Sequence, residues 1–208
     1  MTDPQIPGIS PSLVDRVKNL LMSPKTEWDK IDNESTSVQA LFTGYVMLLA
    51  AIPAIAMAIM FFLFIPRGVV VAGISISSGI TTTSIIASAL ISYVLSLVCV
   101  YVMGLIIDGL APSFGSTKDP VKAMKVAAYY PTAGWVAGVL LIIPGIGALA
   151  ALVGGLYSLY LLYIGLPKLM RTPADKQVAY FVVTLIVAII VLGIINQVGS
   201  RVAYGGYF

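Results

Sequence analysis

The chain has 208 residues, of which 59% are hydrophobic and only 10% charged, and its mean hydropathy is +0.98. Soluble domains carry about 25% charged residues, so this composition excludes an ordinary water-soluble globule and points to helices that cross a bilayer. The formal net charge is only +3, histidine (the commonest general base and metal ligand) is absent, and the single cysteine, Cys99, excludes an internal disulfide.

Residues 1–11 hold Pro4, Pro7, Gly8 and Pro11 and read as a loose lead-in. The polar first 40 residues lack the small-residue cleavage pattern of a signal peptide, so the first span is expected to act as an uncleaved anchor. Ser12 suits a helix cap, with Asp15 in the first turn. Leu13, Val14, Val17, Leu20 and Leu21 then share one helical face, and Asp15, Arg16, Lys18 and Asn19 fill the other. The pattern predicts helix over residues 12–31, restarting at Ser23-Pro24. Two placements follow. This amphipathic N-terminal helix lies on the membrane with Trp28 at headgroup level, or it packs on the cytoplasmic loops.

Five apolar runs are expected as spans, at about residues 40–65, 83–110, 120–143, 147–166 and 175–197. Pro53 lies inside the first and Pro131 inside the third, and both are expected as helix kinks. Between spans one and two, Ile74-Ser75-Ile76-Ser77 alternates as a short extended segment would. Gly109 and Pro112 are expected to end span two, a new helix opens at Asp119-Pro120, residues 144–147 form a tight turn, and Pro167 is expected to end span four. The predicted class is all-α, a polytopic membrane protein. Its organisation is a cytoplasmic segment over 1–35, a five-span domain over 36–198 and a short tail over 199–208. Ten of the 12 Lys and Arg then fall on one side, which places the amino terminus in the cytoplasm and the carboxyl terminus outside. Spans two and three also resemble spans four and five, as a parallel duplication or by the chance likeness of apolar helices.

Asp108 is the one ionisable side chain within an apolar run. It serves either as the centre of a polar site or as a residue near the inner end of its span, paired with Lys118 or Lys122. Running the spans in alternation brings Asp108, Tyr129, Tyr130, Tyr160 and Tyr163 to similar depth, together with the Ala127 carbonyl that Pro131 cannot serve. The candidate is an inner-half polar and aromatic cluster, and the alternative is an aromatic belt. Gly134, Gly138, Gly154 and Gly155 read as helix-packing positions. Lys118, Lys122, Lys125, Lys168 and Arg171 read as a topology signal and as candidate contacts for anionic lipid headgroups. Phosphate-binding, zinc-protease, nucleophile-elbow and CxxC motifs are missing, so no catalytic residue, metal site or cofactor is expected.

Three segments carry a family resemblance: LVDRVKNLLMSPKTEW, IIDGLAPSFGSTKDPVKAMKVAAYYPTAGW and YSLYLLYIGLPKLM. In order and spacing they resemble the Yip domain family of Ypt/Rab-interacting proteins, in its bacterial-type branch, over residues 10–198. The resemblance implies a five-helix integral membrane protein with a cytosolic amino terminus, in a bacterial inner membrane. Eukaryotic relatives contact prenylated small GTPases. Here the cytosolic segment is short and Asp108-Gly109-Leu110-Ala111-Pro112 replaces the family's Asp-Leu-x-Gly-Pro signature, so a GTPase partner is not expected. The expected function is non-enzymatic: organising the membrane, or binding lipid or a protein partner through the cytoplasmic face, with a membrane-protein partner or a homo-oligomer and no nucleic acid. The alternative is a small transporter or channel-like protein with a site around Asp108.

Overall fold

The computed structural model describes residues 12–64, 69–71, 74–76 and 81–204. The expected loose lead-in over residues 1–11, Ser77 of the alternating segment and the last four residues of the tail lie outside them.

The first predicted helix is two. Ser12 caps α1 (Leu13–Met22) by accepting from the Asp15 amide, and α2 (Pro24–Asn33) begins with its proline in the first turn, where a missing N–H costs nothing. Span one is α3 (Val38–Leu41), a π-helical turn over Phe42–Val46, and α4 (Met47–Phe64), which continues through Pro53. Two short strands, β1 (Val69–Val71) and β2 (Ile74–Ile76), pair antiparallel with Val70 opposite Ser75. They qualify the all-α expectation and include most of the predicted extended segment.

Span two is α5 (Thr82–Leu110), closed at its start by a reciprocal capping box between Thr81 and Ser84. It runs to Leu110 and tightens into a 3₁₀ turn over Ala111–Phe114, ended by Gly115 in the left-handed region. Asp119 caps α6 (Pro120–Tyr129) through the Val121 and Lys122 amides. Pro131 then breaks the third segment into α6, α7 (Thr132–Ala137) and a 3₁₀ stretch over Gly138–Ile142. α8 (Ile146–Met170) passes the expected stop at Pro167, because a proline one turn from the end removes a single bond, and Arg171 ends the helix with φ 54°. α9 (Gln177–Tyr204) is helical beyond residue 198, so the expected tail begins inside a helix.

Four helical stretches are long and apolar enough to cross a membrane: Val38–Phe64, Thr82–Phe114, Ile146–Met170 and Ala174–Ile194. Between 17 and 33% of each is buried, so most of their apolar surface faces outward, as lipid-facing helices require. The broken third segment is the opposite. Seven consecutive residues of α6, Ala123–Tyr129, are buried. α6 packs on α5 and α8, while α7 and the 3₁₀ stretch pack on α4 and α8.

Glycine makes this close packing feasible. A Cβ on Gly154 of α8 would sit 2.5 Å from Ala137 Cβ and 2.8 Å from the Ala133 carbonyl oxygen. A Cβ on Gly138 would sit 2.8 Å from the Pro53 ring, and one on Gly134 would be 3.3 Å from Ser158 Oγ. Gly155 has nothing within 4 Å. Gly154→Ala therefore costs about 1–3 kcal/mol of stability, since a backbone oxygen cannot yield. Gly155→Ala is expected to be neutral or to gain up to about 1 kcal/mol from helix propensity. Thermal unfolding of the two variants in the same detergent checks the pair.

Candidate functional site

The polar chemistry concentrates at one end of the bundle, where α1 and α2 fold over the α6 and α8 ends. α2 carries Glu27, Trp28, Asp29, Ile31 and Asp32 within two turns. Helical spacing sends Trp28 and Ile31 inward, and both are fully buried. Trp28 lies in the notch that Gly165 leaves on α8, its ring 2.5 Å from where a Cβ would stand, and meets Tyr129 edge-on at 6.3 Å. Trp28 thus packs into the bundle and not outward at headgroup level.

Arg16, expected on the polar face of α1, is 4% exposed. Its guanidinium donates to Glu27 at 2.7 Å and to both Glu34 oxygens at 2.5 Å, and lies 5.4 Å from the Tyr129 ring centre. Burial works to lower its pKa, but the bond to Glu34 and the nearby negative groups outweigh this and hold it above the ordinary arginine value. A charge buried in this way is tolerated only because each face of the guanidinium has a partner.

The expected headgroup lysines occupy defined places here. Lys122 pairs with Asp32 at 2.8 Å, and Arg171 pairs with the other Asp32 oxygen at 2.6 Å. Lys168 pairs with Asp29. Lys125, 3% exposed, donates to the carbonyls of Ile31 at 2.7 Å and Glu34 at 2.5 Å, closing the end of α2. Lys118 makes no ion pair among the described residues, and is exposed, as are Lys18, Lys25 and Lys176.

The five members of the expected polar and aromatic cluster do not form one cluster. No hydrogen bond or ring contact among the described residues joins any two of them. Tyr129 packs between Trp28 and Tyr45, the latter at 4.7 Å. Tyr160 stands against Tyr157, and Tyr163 against Phe181. Tyr130 lines a separate cleft with Cys99 and Pro131. Alternation of the spans sets chain direction but leaves angular positions free, and the helix faces diverge. Asp108, 9% exposed, forms no ion pair among the described residues, Lys118 and Lys122 included, and its Oδ1 has no hydrogen-bond partner. Tyr180 lies close by, donating to the Ile107 carbonyl at 2.5 Å and stacking on Phe114 at 5.0 Å.

Sequence reasoning missed the polar seam at Pro131. Tyr45, in the π turn, hydrogen-bonds to Thr132 Oγ1 at 2.7 Å, and Thr132 donates to the Tyr129 carbonyl at 2.6 Å. Ser158 of α8 accepts from the Gly134 amide at 3.0 Å. The adjacency of Pro131 and Thr132 was a usable signal, since a hydroxyl beside a helix break can serve its freed groups. No group of three or more His, Cys, Asp or Glu able to hold a metal occurs among the described residues.

The Yip1 domain model matches residues 18–195. The chain is 27% identical over 186 residues to inner membrane protein YohC of Escherichia coli strain K12, covering 86% of this chain and 91% of that protein. The same protein from E. coli O6:H1 strain CFT073 matches with the same identity and coverage. No solved structure matches.

Replacing Arg16 by Met is expected to cost about 3–5 kcal/mol, because Glu27 is then left charged and buried. Lys168→Ala, in an exposed pair, is expected to cost under about 1 kcal/mol. Hydrogen exchange of residues 13–33 checks both: fast exchange in the first variant and near-unchanged protection in the second.

Proposed function

The chain belongs to the Yip1 domain family, and on that premise we propose that it is a non-enzymatic, five-span protein of the bacterial inner membrane. It organises its surroundings by binding anionic lipid or a membrane-protein partner through its cytoplasmic face. The carrying observation is the docked α1–α2 unit. Ion pairs to Lys122, Lys168 and Arg171 and the buried Arg16 hold it as a fixed surface, while Lys18, Lys25, Lys118 and Lys176 stay exposed and without ion pairs among the described residues.

Several features support the finer parts of this reading. The 16 α-helical and five 3₁₀ residues of the third segment reach roughly 34 Å at 1.5 and 2 Å per residue, enough to cross a hydrocarbon core of about 30 Å. That length supports a fifth span. The docking of α1–α2 on the helix ends that carry Lys122 and Lys168 supports a cytoplasmic amino terminus under the positive-inside rule. An odd number of spans then leaves the carboxyl terminus outside. The inner-membrane assignment rests on the named relatives.

Lys118 and Lys176 occupy one corner, with Lys176 Nζ 3.7 Å from where a Gly115 Cβ would stand. A lysine near an anionic surface contributes about 1 kcal/mol, so Lys118→Gln with Lys176→Gln is expected to weaken binding of anionic lipid roughly thirtyfold. Anionic phospholipid retained by protein in otherwise zwitterionic nanodiscs reports the effect. Unchanged retention, together with crosslinks in native membranes only between copies of the chain, would remove this reading.

A second reading is favoured by one observation, the buried Asp108 oxygen without a partner. It is a small transporter or channel-like activity centred there. Liposomes containing the protein should then move a solute, and Asp108→Asn should stop the movement. No flux across a broad solute panel counts against it.

A further inference from the structure

A cleft of about 290 Å³ opens between α5 and the α6–α7 break. Ser92, Ser96, Cys99, Tyr130, Pro131 and Trp135 line it. Its depth is unusual for polar groups. Ser92, Ser96 and Cys99 flank the midpoint of the 29-residue α5, and Pro131 lies at the interruption of the third segment. Ser92 is itself exposed, so the cleft opens outward from α5 toward the hydrocarbon.

The donors in this cleft are only partly used. Ser96 donates to the Tyr93 carbonyl at 3.0 Å, the usual way a helix absorbs a serine in an apolar setting. The Ser92 hydroxyl, the Tyr130 hydroxyl and the Trp135 indole N–H have no hydrogen bond among the described residues. Trp135 is itself 8% exposed and opens onto the cleft. Hydrocarbon supplies no water to satisfy such groups, so three unpaired donors lining one mid-depth cleft are costly without an acceptor. The size is just below the usual range for small-molecule sites, about 300 to 1,000 Å³.

We propose that this cleft binds a membrane-dissolved molecule bearing a carbonyl oxygen on an apolar body, with Ser92, Tyr130 and Trp135 as the donors to that oxygen. Two sources offer this chemistry: a quinone dissolved in the bilayer and the ester carbonyl of a diacyl lipid. Ester carbonyls lie near the headgroups, whereas the cleft lies at mid-depth, so the quinone head matches the position better.

The test uses the full chain in nanodiscs of diether lipid, which contains no ester carbonyl, and measures binding of radiolabelled decylubiquinone against protein-free discs. The expected result is saturable, near-stoichiometric binding. Ser92→Ala and Tyr130→Phe, each of which removes one hydroxyl and leaves the bulk of the side chain, should each weaken it about tenfold, and Trp135→Phe should do so by a second route. Discs of diacyl lipid separate the sources: unchanged quinone affinity identifies the quinone, and competition there identifies the ester carbonyl. Non-saturable binding in diether discs, or equal binding by wild type and all three variants with unchanged thermal stability, overturns the proposal.

Discussion

Pro131 cannot donate a backbone hydrogen bond, and it stands in the one segment that packs on α4, α5 and α8 together. In water such a break would be solvated. In the middle of a bundle each released group must find a partner in protein. The π turn over Phe42–Val46 brings Tyr45 to Thr132, Thr132 serves the Tyr129 carbonyl, and Ser158 serves the Gly134 amide. These bonds tie the broken segment to the helices on two sides of it. They also dictate small residues nearby, because Ser158 and Gly154 reach α7 only if Gly134 and Ala137 leave room.

The same segment explains the amino-terminal unit. α6 is buried along its whole inner turn, including Lys125, so the bundle alone would leave a cation and a large apolar notch at Gly165 uncovered. α2 provides carbonyls for the cation and Trp28 for the notch. Arg16 then sets the relation of α1 to α2, since its two carboxylate partners lie at the start and just past the end of α2. A buried guanidinium with two carboxylates contributes little net stability compared with apolar packing, but few other arrangements would satisfy it. Its effect is on which arrangement forms.

Composition and hydropathy made the membrane class readable, and caps made several starts readable: Ser12, Pro24, Asp119 and the turn before Ile146 all fall within a residue or two of observed boundaries. The end of span four was read too early at Pro167, where tolerance of one lost bond near a terminus outweighs the local breaker signal. The third segment was legible as apolar but not as broken into three, because its continuation past Pro131 depends on partners from α4 and α8. Lys122, Lys168 and Arg171 illustrate a different limit. Basic loop residues fit both a topology signal and a set of ion pairs, and only the position of Asp29 and Asp32 across the fold distinguishes the roles. The grouping of Asp108 with four tyrosines by depth failed for a related reason: depth follows from chain direction, whereas rotation about each helix axis follows from packing.

Satisfaction of polar groups is uneven across the bundle. Around α6 and α7 the buried Arg16, Lys125, Thr132 and Ser158 are paired, whereas the Trp28 indole N–H packed against Tyr129 is not. Of the three buried side-chain atoms without partners, two belong to Asp108 on α5 and Thr184 on α9. Where α9 meets α5, Tyr180 bonds the Ile107 carbonyl and stacks on Phe114. Beyond Ala188 none of the residues of α9 belongs to the buried core among the described positions. Unpaired groups subtract from the cohesion that burial would otherwise provide, so Asp108 and Thr184 each lessen what α5 and α9 gain from burial, as the Trp28 indole N–H does for α2.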